Sequence, residues 1–346
     1  MRSSLRRFTE VLLLVGLLGL ATGCPLLSWH EGAPLPTVEG PEDPALLGGA
    51  HGTLVAVDRQ DPSTLQVVRL GGLETRAVPI VGRAMSVSGP DEDGRVVYLE
   101  RGEDHRGEWY RLRVVSLRTG GDSLILKRQG SLNPSSAIAL SPRGGQLAWT
   151  SAIDRGGYDY GPWMLEVLDL ASGRSVSIDG EITQHHPQWF PDGQRLVFVE
   201  WRASDRCLIT SVVDLRSGER RVLREGRTGG MARGVCADGT AVLFGDGRTL
   251  CSVDPADGRV VADDLELPGN IHGRGDPTNS WAVVADLSSA KFLYEALPTA
   301  GAQQELVSGY VYGAKWTVKL CDAHTHAFVT VVPHIWGDVS YGPFDL

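Results

Sequence analysis

A short motif recurs about every 50 residues and constrains the fold of this chain more than any other feature. The two clearest copies, 141–149 and 190–198, share a proline, a glycine two residues later and a strand-like ending of the form Leu-x-Trp or Leu-x-Phe. Further copies occupy 93–98, 236–244 and 276–284. Proline and glycine provide the backbone angles of tight turns, and the alternating residues after them suit a pleated strand. Each copy therefore predicts a strand, a turn and a second strand.

A second motif follows most copies of the first. An apolar run ends in Asp or Ser, and a glycine stands four residues later, in 114–120, 167–173, 212–218 and 252–258. An Asp carboxylate at such a place accepts hydrogen bonds from turn N–H groups, and glycine takes the left-handed backbone conformation. One period thus predicts four strands and two turns.

Periods of this length with four strands each are typical of the blades of a β-propeller. A single blade cannot bury both of its faces, whereas blades stacked around an axis bury them against each other. We assign four-stranded units to 84–127, 135–179, 185–225, 232–265 and 271–308.

The two ends of the repeat region predict how the ring closes. Residues 53–70 resemble the third and fourth strands of a blade, and residues 311–332 resemble the first and second strands. Together they predict a composite closing blade and an all-β, six-bladed propeller. Seven blades is the alternative, if the tail 333–346 pairs as more than an edge strand. Two β-sandwiches fit less well, because a sandwich does not require a repeated Pro-x-Gly turn.

The pattern Ser/Phe-Pro-x-Gly-x-x-Leu-x-Trp/Phe, over most of residues 84–308, resembles the TolB-type, WD40-like β-propeller repeat. The resemblance implies the fold and says little about chemistry. By this resemblance we expect a non-catalytic scaffold that binds one or more envelope proteins and needs no cofactor.

The N-terminus predicts export. Three arginines precede the apolar run 11–20, which ends in small residues before Cys24. This order is typical of a secretory signal, here residues 1–23, and the run is short for a membrane of about 30 Å. The small residues before the cysteine resemble a bacterial lipobox, which implies that lipid on Cys24 anchors the chain to the membrane. An ordinary cleaved signal is the alternative.

The remaining features refine this picture of an envelope lipoprotein. Residues 24–49 are rich in proline and glycine and predict a tether, followed by the propeller, 50–346. By resemblance to other lipoproteins we expect the protein to lie at the outer membrane, facing the periplasm or the cell surface.

The net charge of the chain is −9 and falls to about −11 without the signal, which argues against nucleic-acid binding. We expect a monomer.

Four cysteines besides Cys24 leave two alternatives open. Two disulfides with three possible connectivities could form in an exported protein, or the thiols are buried in strands. These cysteines are Cys207, Cys236, Cys251 and Cys321.

Aromatic residues cluster in loops between the second and third strands of neighbouring blades, where binding surfaces form. Rigid aromatic rings suit recognition, although they can equally cap blade edges. Two adjacent histidines precede an inner strand and can reach the channel mouth. The candidate binding surface comprises Trp109, Tyr158, Tyr160, Trp163, His185 and His186.

Two sets of histidines in the sequence could bind a metal ion. Asp322-x-His324-x-His326 resembles a metal-binding strand of amidohydrolases, but we interpret it as a turn between strands and expect no metal. Oligogalacturonate lyases carry TolB-like repeats and hold a metal with histidines, for which this chain offers His51, His185, His186 and His272.

The alternative function is therefore a polysaccharide lyase or hydrolase, or a sugar-binding lipoprotein, at the channel mouth. Paired carboxylates would serve a glycosidase, and three glutamates lie in strand patterns, Glu166, Glu200 and Glu295. We interpret them as solvated strand residues and assign no catalytic residue. Three or more histidines near one point would favour metal chemistry, whereas a channel lined by Ser, Gly and aliphatic residues would favour binding.

Overall fold

The computed structural model of the protein describes about two thirds of the chain. The described residues are 42–48, 50–58, 61–130, 138–152, 163–182, 187–202, 204, 207–226, 232–236, 238–245, 249–266, 282–286, 291–296, 305–307, 310–312, 316–322, 328–335 and 337–342. Within these ranges the elements are antiparallel strands and one 3-10 helix, Pro44–Leu47. No helix in these ranges is long and apolar enough to cross a membrane.

The first two sheets contain the N-terminal strands. The closing sheet has the order β26-β1-β2-β3, with β1 Thr53–Asp58, β2 Asp61–Arg69, β3 Glu74–Pro79 and β26 Gly337–Gly342. The second sheet consists, in order, of β4 Ala84–Val87, β5 Arg95–Asp104, β6 Gly107–Ser116 and β7 Asp122–Gln129.

The third sheet has eight strands. Its first half is β8 Ile138–Leu140, β9 Gln146–Ala152, β10 Trp163–Asp169 and β11 Ser175–Ile182. Its second half is β12 Gln188–Trp189, β13 Arg195–Arg202, β14 Cys207–Asp214 and β15 Arg220–Gly226.

Two further sheets and a hairpin complete the described strands. The fourth sheet is β16 Ala232–Val235, β17 Val242–Gly245, β18 Thr249–Val253 and β19 Val260–Glu266. The fifth sheet has the order β20-β21-β24-β25, with β20 Ala282–Asp286, β21 Lys291–Ala296, β24 Trp316–Asp322 and β25 Phe328–Ile335. The hairpin is β22 Glu305–Val307 and β23 Tyr310–Tyr312.

The blade count corrects the sequence prediction. Ile182 at the end of β11 pairs with Glu200 of β13, and this pair joins two repeat units into the one eight-stranded sheet. With four other sheets of four strands, the described residues form a β-propeller of five blades, counted by hydrogen bonding. The predicted six blades and the alternative of seven are both wrong.

The closing sheet also differs from the prediction. Its first strand is β26, which pairs with β1 along its whole length, and β1, β2 and β3 are the second, third and fourth strands. Strands within 311–332 do not join it, because β24 pairs with β21 and β25 in the fifth sheet. Ser340 fixes β26 to the second sheet through a 2.7 Å hydrogen bond to the Val87 carbonyl.

The strands β5, β9, β13 and β17 follow the repeated turn, and each buries one large aromatic ring between sheets. These rings occupy equivalent positions and are fully buried: Tyr98, Trp149, Phe198 and Phe244. Trp149 packs with Leu99 and Leu112 of the second sheet, and Phe244 packs with Val197 and Val212 of the third. Aromatic side chains bury large areas, so this position explains why the repeat ends in an aromatic residue.

The repeated turns contact one another in succession. Gly144 has a φ of 67°, and a methyl group in its place would overlap the Asp91 carboxylate of the preceding turn. Gly239 likewise lies against Pro191, 3.1 Å from where its Cβ would be. The turns of neighbouring units therefore form one packed row, and glycine meets both a backbone and a steric requirement there.

The 3-10 helix packs on the propeller at the C-terminal end of the expected tether. Asp43 caps it by accepting a 2.9 Å hydrogen bond from the Ala45 N–H. Leu46 is buried in a cluster with residues of the closing and fifth sheets, among them Leu54 and Leu320.

Candidate binding surface

Trp109 lies at the start of β6, on a hairpin whose strands extend to Asp104 and Gly107. Its pairing partner is Gly102, where any side chain would overlap the indole ring. The Arg111 guanidinium stacks 4.2 Å from the ring centroid on the same strand face. Trp109 is half-buried and held from two sides, so its ring is preorganised for contact.

Two cations and two carboxylates surround the indole. The Lys127 ammonium lies 5.4 Å from the ring centroid, within the range of cation–π attraction. Arg111 pairs with Glu100 at 3.5 Å, and Lys127 pairs with Asp104 at 3.8 Å. A backbone hydrogen bond from Arg106 holds the pKa of Asp104 below its usual range, so this carboxylate is charged at neutral pH.

A buried network fixes the neighbouring part of this face. The Asp122 carboxylate accepts hydrogen bonds from the Tyr98 hydroxyl at 2.6 Å, from Arg113 Nε at 2.8 Å and from the Val81 N–H at 2.9 Å. Burial, and next the Asp122 hydrogen bond, raises the pKa of Tyr98, so its phenol remains a donor. The network attaches the segment after β3 to the second sheet and leaves the Val81 side chain exposed.

We call the exposed part of this face the Trp109 patch. It consists of Val81, Trp109, Arg111, Leu124 and Lys127. Leu124 and Lys127 pair with Arg113 and Arg111 respectively, so all of these strand side chains share one face of the second sheet.

The structure places only part of the sequence-predicted surface. Trp163 begins β10, where it pairs with Ala152 and Ile182, but its side chain lies outside the described residues. Trp163 and Trp109 lie near the start of the third strand in neighbouring units. Other residues also lie outside the described ranges, namely Cys24, Tyr158, Tyr160, His185, His186, His272, His324 and His326.

Two of the three strand glutamates, Glu166 and Glu200, are buried in ion pairs, which corrects our interpretation of them as solvated. Glu166 binds Arg128 Nη1 through both carboxylate oxygens, at 2.9 and 2.7 Å, across the boundary between the second and third sheets. Glu200 pairs with Arg220 and accepts a 3.3 Å hydrogen bond from the Ser211 hydroxyl. The side chain of Glu295 is outside the described residues.

The described cysteines and acids do not form a metal cluster. Among the residues that the structure describes, no three His, Cys, Asp or Glu side chains lie close enough to hold a metal. Cys207, Cys236 and Cys251 are free thiols, whereas the Cys321 side chain is not among those described. Burial raises the pKa of Cys236 to about 12, which makes this thiol a poor nucleophile.

The first strands of the units surround the axis of a propeller. In the described part they carry mainly small and aliphatic residues, such as Ala84, Ser86, Ala139 and Gly234. Trp189 is an exception, and its indole N–H donates a 2.9 Å hydrogen bond to the Ala139 carbonyl of the neighbouring inner strand.

Sequence reasoning selected Trp109 as a candidate but did not predict the cations around it. Arg111 could have been found, since two residues along a strand lie on the same face. Lys127 joins the patch through the pairing of β7 with β6, and Val81 joins it through the loop after β3. No local sequence pattern predicts either placement.

The comparisons with known proteins concern the fold. No protein-family model and no curated protein matches the sequence. TolB from Acinetobacter baumannii is similar in structure, with a TM-score of 0.59, 16% identity and coverage of 86% of this chain and 68% of TolB. A chain of a nidogen/laminin complex has a TM-score of 0.53 and 14% identity, over 84% of this chain and 98% of that one. The chain therefore has a TolB-like β-propeller fold, as its repeat predicts.

Proposed function

We propose that this chain is a lipid-anchored envelope protein whose propeller acts as a non-catalytic scaffold for binding another envelope protein. The observation that carries the proposal is the preorganised Trp109, held between Gly102 and Arg111 on an extended hairpin. A rigid aromatic ring with flanking charges is the composition of a protein-binding hot spot.

Two further observations support binding. The inner strands carry mostly small and aliphatic residues in the described part, a composition that favours a binding role over channel chemistry. Glu166 and Glu200 are neutralised by arginines and serve packing between and within sheets. The membrane anchor is proposed from the sequence around Cys24 alone.

An affinity pull-down from detergent-solubilised envelopes tests both parts. The wild-type chain should remain with the membrane and capture a protein partner after mild cross-linking. Cys24→Ala should release the chain from the membrane, and Trp109→Ala should leave it anchored but without the partner.

Arg69→Glu is the matched control, because Arg69 pairs with Glu74 at the same 3.5 Å distance on another sheet surface. This variant should keep both the anchor and the partner. Capture that is equal for wild-type and Trp109→Ala chains would contradict the proposed surface, and cleavage of a polysaccharide by the purified chain would contradict a non-catalytic role.

A further inference from the structure

We propose that β7 accepts an extended acidic segment of the partner as an additional strand, which places the segment's carboxylates against the cations of the Trp109 patch. The inference rests on the proposed function, because it names the partner chemistry for the same surface. It follows from three properties of β7 and its neighbours: a free edge, exposed apolar residues and loosely paired cations.

The edge of β7 offers backbone groups for pairing. It is the last strand of its sheet, and no described strand pairs with its outer side. The Gly130 N–H donates a 2.9 Å hydrogen bond to the Glu108 carbonyl, so these two residues form a hydrogen-bonded pair. In an antiparallel ladder, hydrogen-bonded pairs alternate with pairs that are not hydrogen-bonded. By that alternation, Lys127 and Gln129 direct their N–H and C=O groups away from β6. Such an edge is a template for an incoming strand.

The apolar end of the patch is exposed to solvent. Leu124 is 51% exposed and Val81 is 71% exposed, although both are large hydrophobic residues. An incoming strand beside β7 would cover Leu124 with a cross-strand side chain. This favours an apolar residue in the segment at that position.

The cationic end of the patch is loosely paired. Arg111 and Lys127 meet their carboxylates at 3.5 and 3.8 Å, whereas the Arg113–Asp122 and Arg128–Glu166 pairs measure 2.8 and 2.7 Å. A partner carboxylate opposite Lys127 could form shorter, charge-assisted hydrogen bonds. Because the two loosely paired groups at this end are both cations, we expect the segment to be acidic here.

The arrangement therefore specifies the order of side chains in the segment. In a segment that runs antiparallel to β7, as β6 does, an acidic residue opposite Lys127 precedes an apolar residue opposite Leu124, both on the face that meets Trp109. Main-chain hydrogen bonds to Lys127 and Gln129 would supply affinity, and the two side chains would supply selectivity.

Fluorescence polarisation with labelled synthetic peptides tests the inference. The probe is Thr-Asp-Thr-Asp-Thr-Val-Thr-Val, and the comparison peptides carry lysine in place of aspartate or methyl groups on alternate backbone nitrogens. We expect the probe to bind the wild-type chain and both comparison peptides to bind at least tenfold more weakly.

Variants of β7 separate charge from strand pairing. Lys127→Gln removes only the cation, and Lys127→Pro also removes the outward N–H while keeping the ladder to β6. We expect the affinity for the probe to fall several-fold in Lys127→Gln and at least tenfold in Lys127→Pro. The affinity of Arg69→Glu should equal that of the wild type. The methylated peptide gives the same answer if the proline variant does not fold.

Specific results would overturn the inference. The first is absence of probe binding to the wild-type chain. The second is binding of the lysine or methylated peptide that equals that of the probe. The third is binding of an oligouronate that is stronger than binding of the probe. If any of these occurs while Trp109→Ala still loses the captured partner, the proposed scaffold function stands and only strand addition fails.

Discussion

At the scale of single residues, the turns of the repeat behave as their composition predicts. Asp214 accepts hydrogen bonds from the Arg216 and Ser217 N–H groups at 2.9 Å, and Gly218 follows with a φ of 73°. The Ser217 bond, chiefly, lowers the pKa of Asp214. These features were predictable because they depend only on neighbours in sequence.

Asp91 provides a pH test at the same scale. It is fully buried, accepts from the Arg95 N–H at 2.7 Å, and burial raises its pKa. Ser141 fills the equivalent position in the next unit and accepts from the Gln146 N–H at 3.1 Å. Asp91→Ser therefore keeps the turn and removes the titration.

The sign of this pH dependence follows from the raised pKa. Above the ordinary aspartate pKa of about 4, the folded chain retains a proton that the unfolded chain has lost, so its stability decreases as the pH rises. We expect the stability of the wild type relative to Asp91→Ser to decrease as the pH rises above about 4. Thermal unfolding of both proteins across this range measures it, and an increasing difference would contradict the assignment.

The buried ion pair between sheets is a second residue-scale test. Glu166→Gln should destabilise the fold by about 2 kcal/mol, less than the usual loss for breaking a buried pair because Arg128 remains partly exposed to water. Glu225→Gln, in an exposed pair with Arg202, should change the unfolding free energy by less than about 0.5 kcal/mol. Urea unfolding measures both, and equal effects would contradict the role of Glu166 between sheets.

At the scale of elements, the row of contacting turns explains why glycine recurs at one position. The sequence predicts the turn, but not that the turn of the next unit packs against it. Gly144 and Gly173 both have positive φ values, and only Gly144 lies against another turn. Replacing each of the two glycines therefore distinguishes the effect of backbone strain from the effect of packing between turns.

Alanine at these two positions tests the packed row. Gly173→Ala should destabilise the fold by about 1–2 kcal/mol, because alanine is strained in the left-handed region. Gly144→Ala should lose about 2 kcal/mol more, since its methyl group would displace the Asp91 carboxylate. Denaturant unfolding compares the two variants, and similar losses would show that neighbouring turns do not constrain each other.

At the scale of the whole molecule, sequence reasoning predicted the propeller but misassigned its closure and blade count. The repeat defines each unit locally, and the units from 84 to 266 follow it closely. The pairing of β26 with β1 and of Ile182 with Glu200 depends on how distant or adjoining units meet. No repeated motif encodes these contacts, which is why they could not be predicted.

Removal of residues 337–346 tests the closure. This truncation deletes the first strand of the closing sheet and its hydrogen bond to Val87. We expect the unfolding temperature to fall by about 10 °C, since each kcal/mol corresponds to roughly 2–4 °C in a chain of this size. A calorimetric transition that is unchanged in temperature and cooperativity would show that β26 does not close the ring.

The scaffold function is tested most directly by photocross-linking in intact cells. A photoreactive amino acid at Lys127 reports on the Trp109 patch, and one at Val222, an exposed residue on the outer strand β15, is the control. We predict a discrete cross-linked protein from position 127 that is absent from position 222 and lost in Trp109→Ala. Cross-links of equal yield from both positions, or none from position 127, would contradict the account.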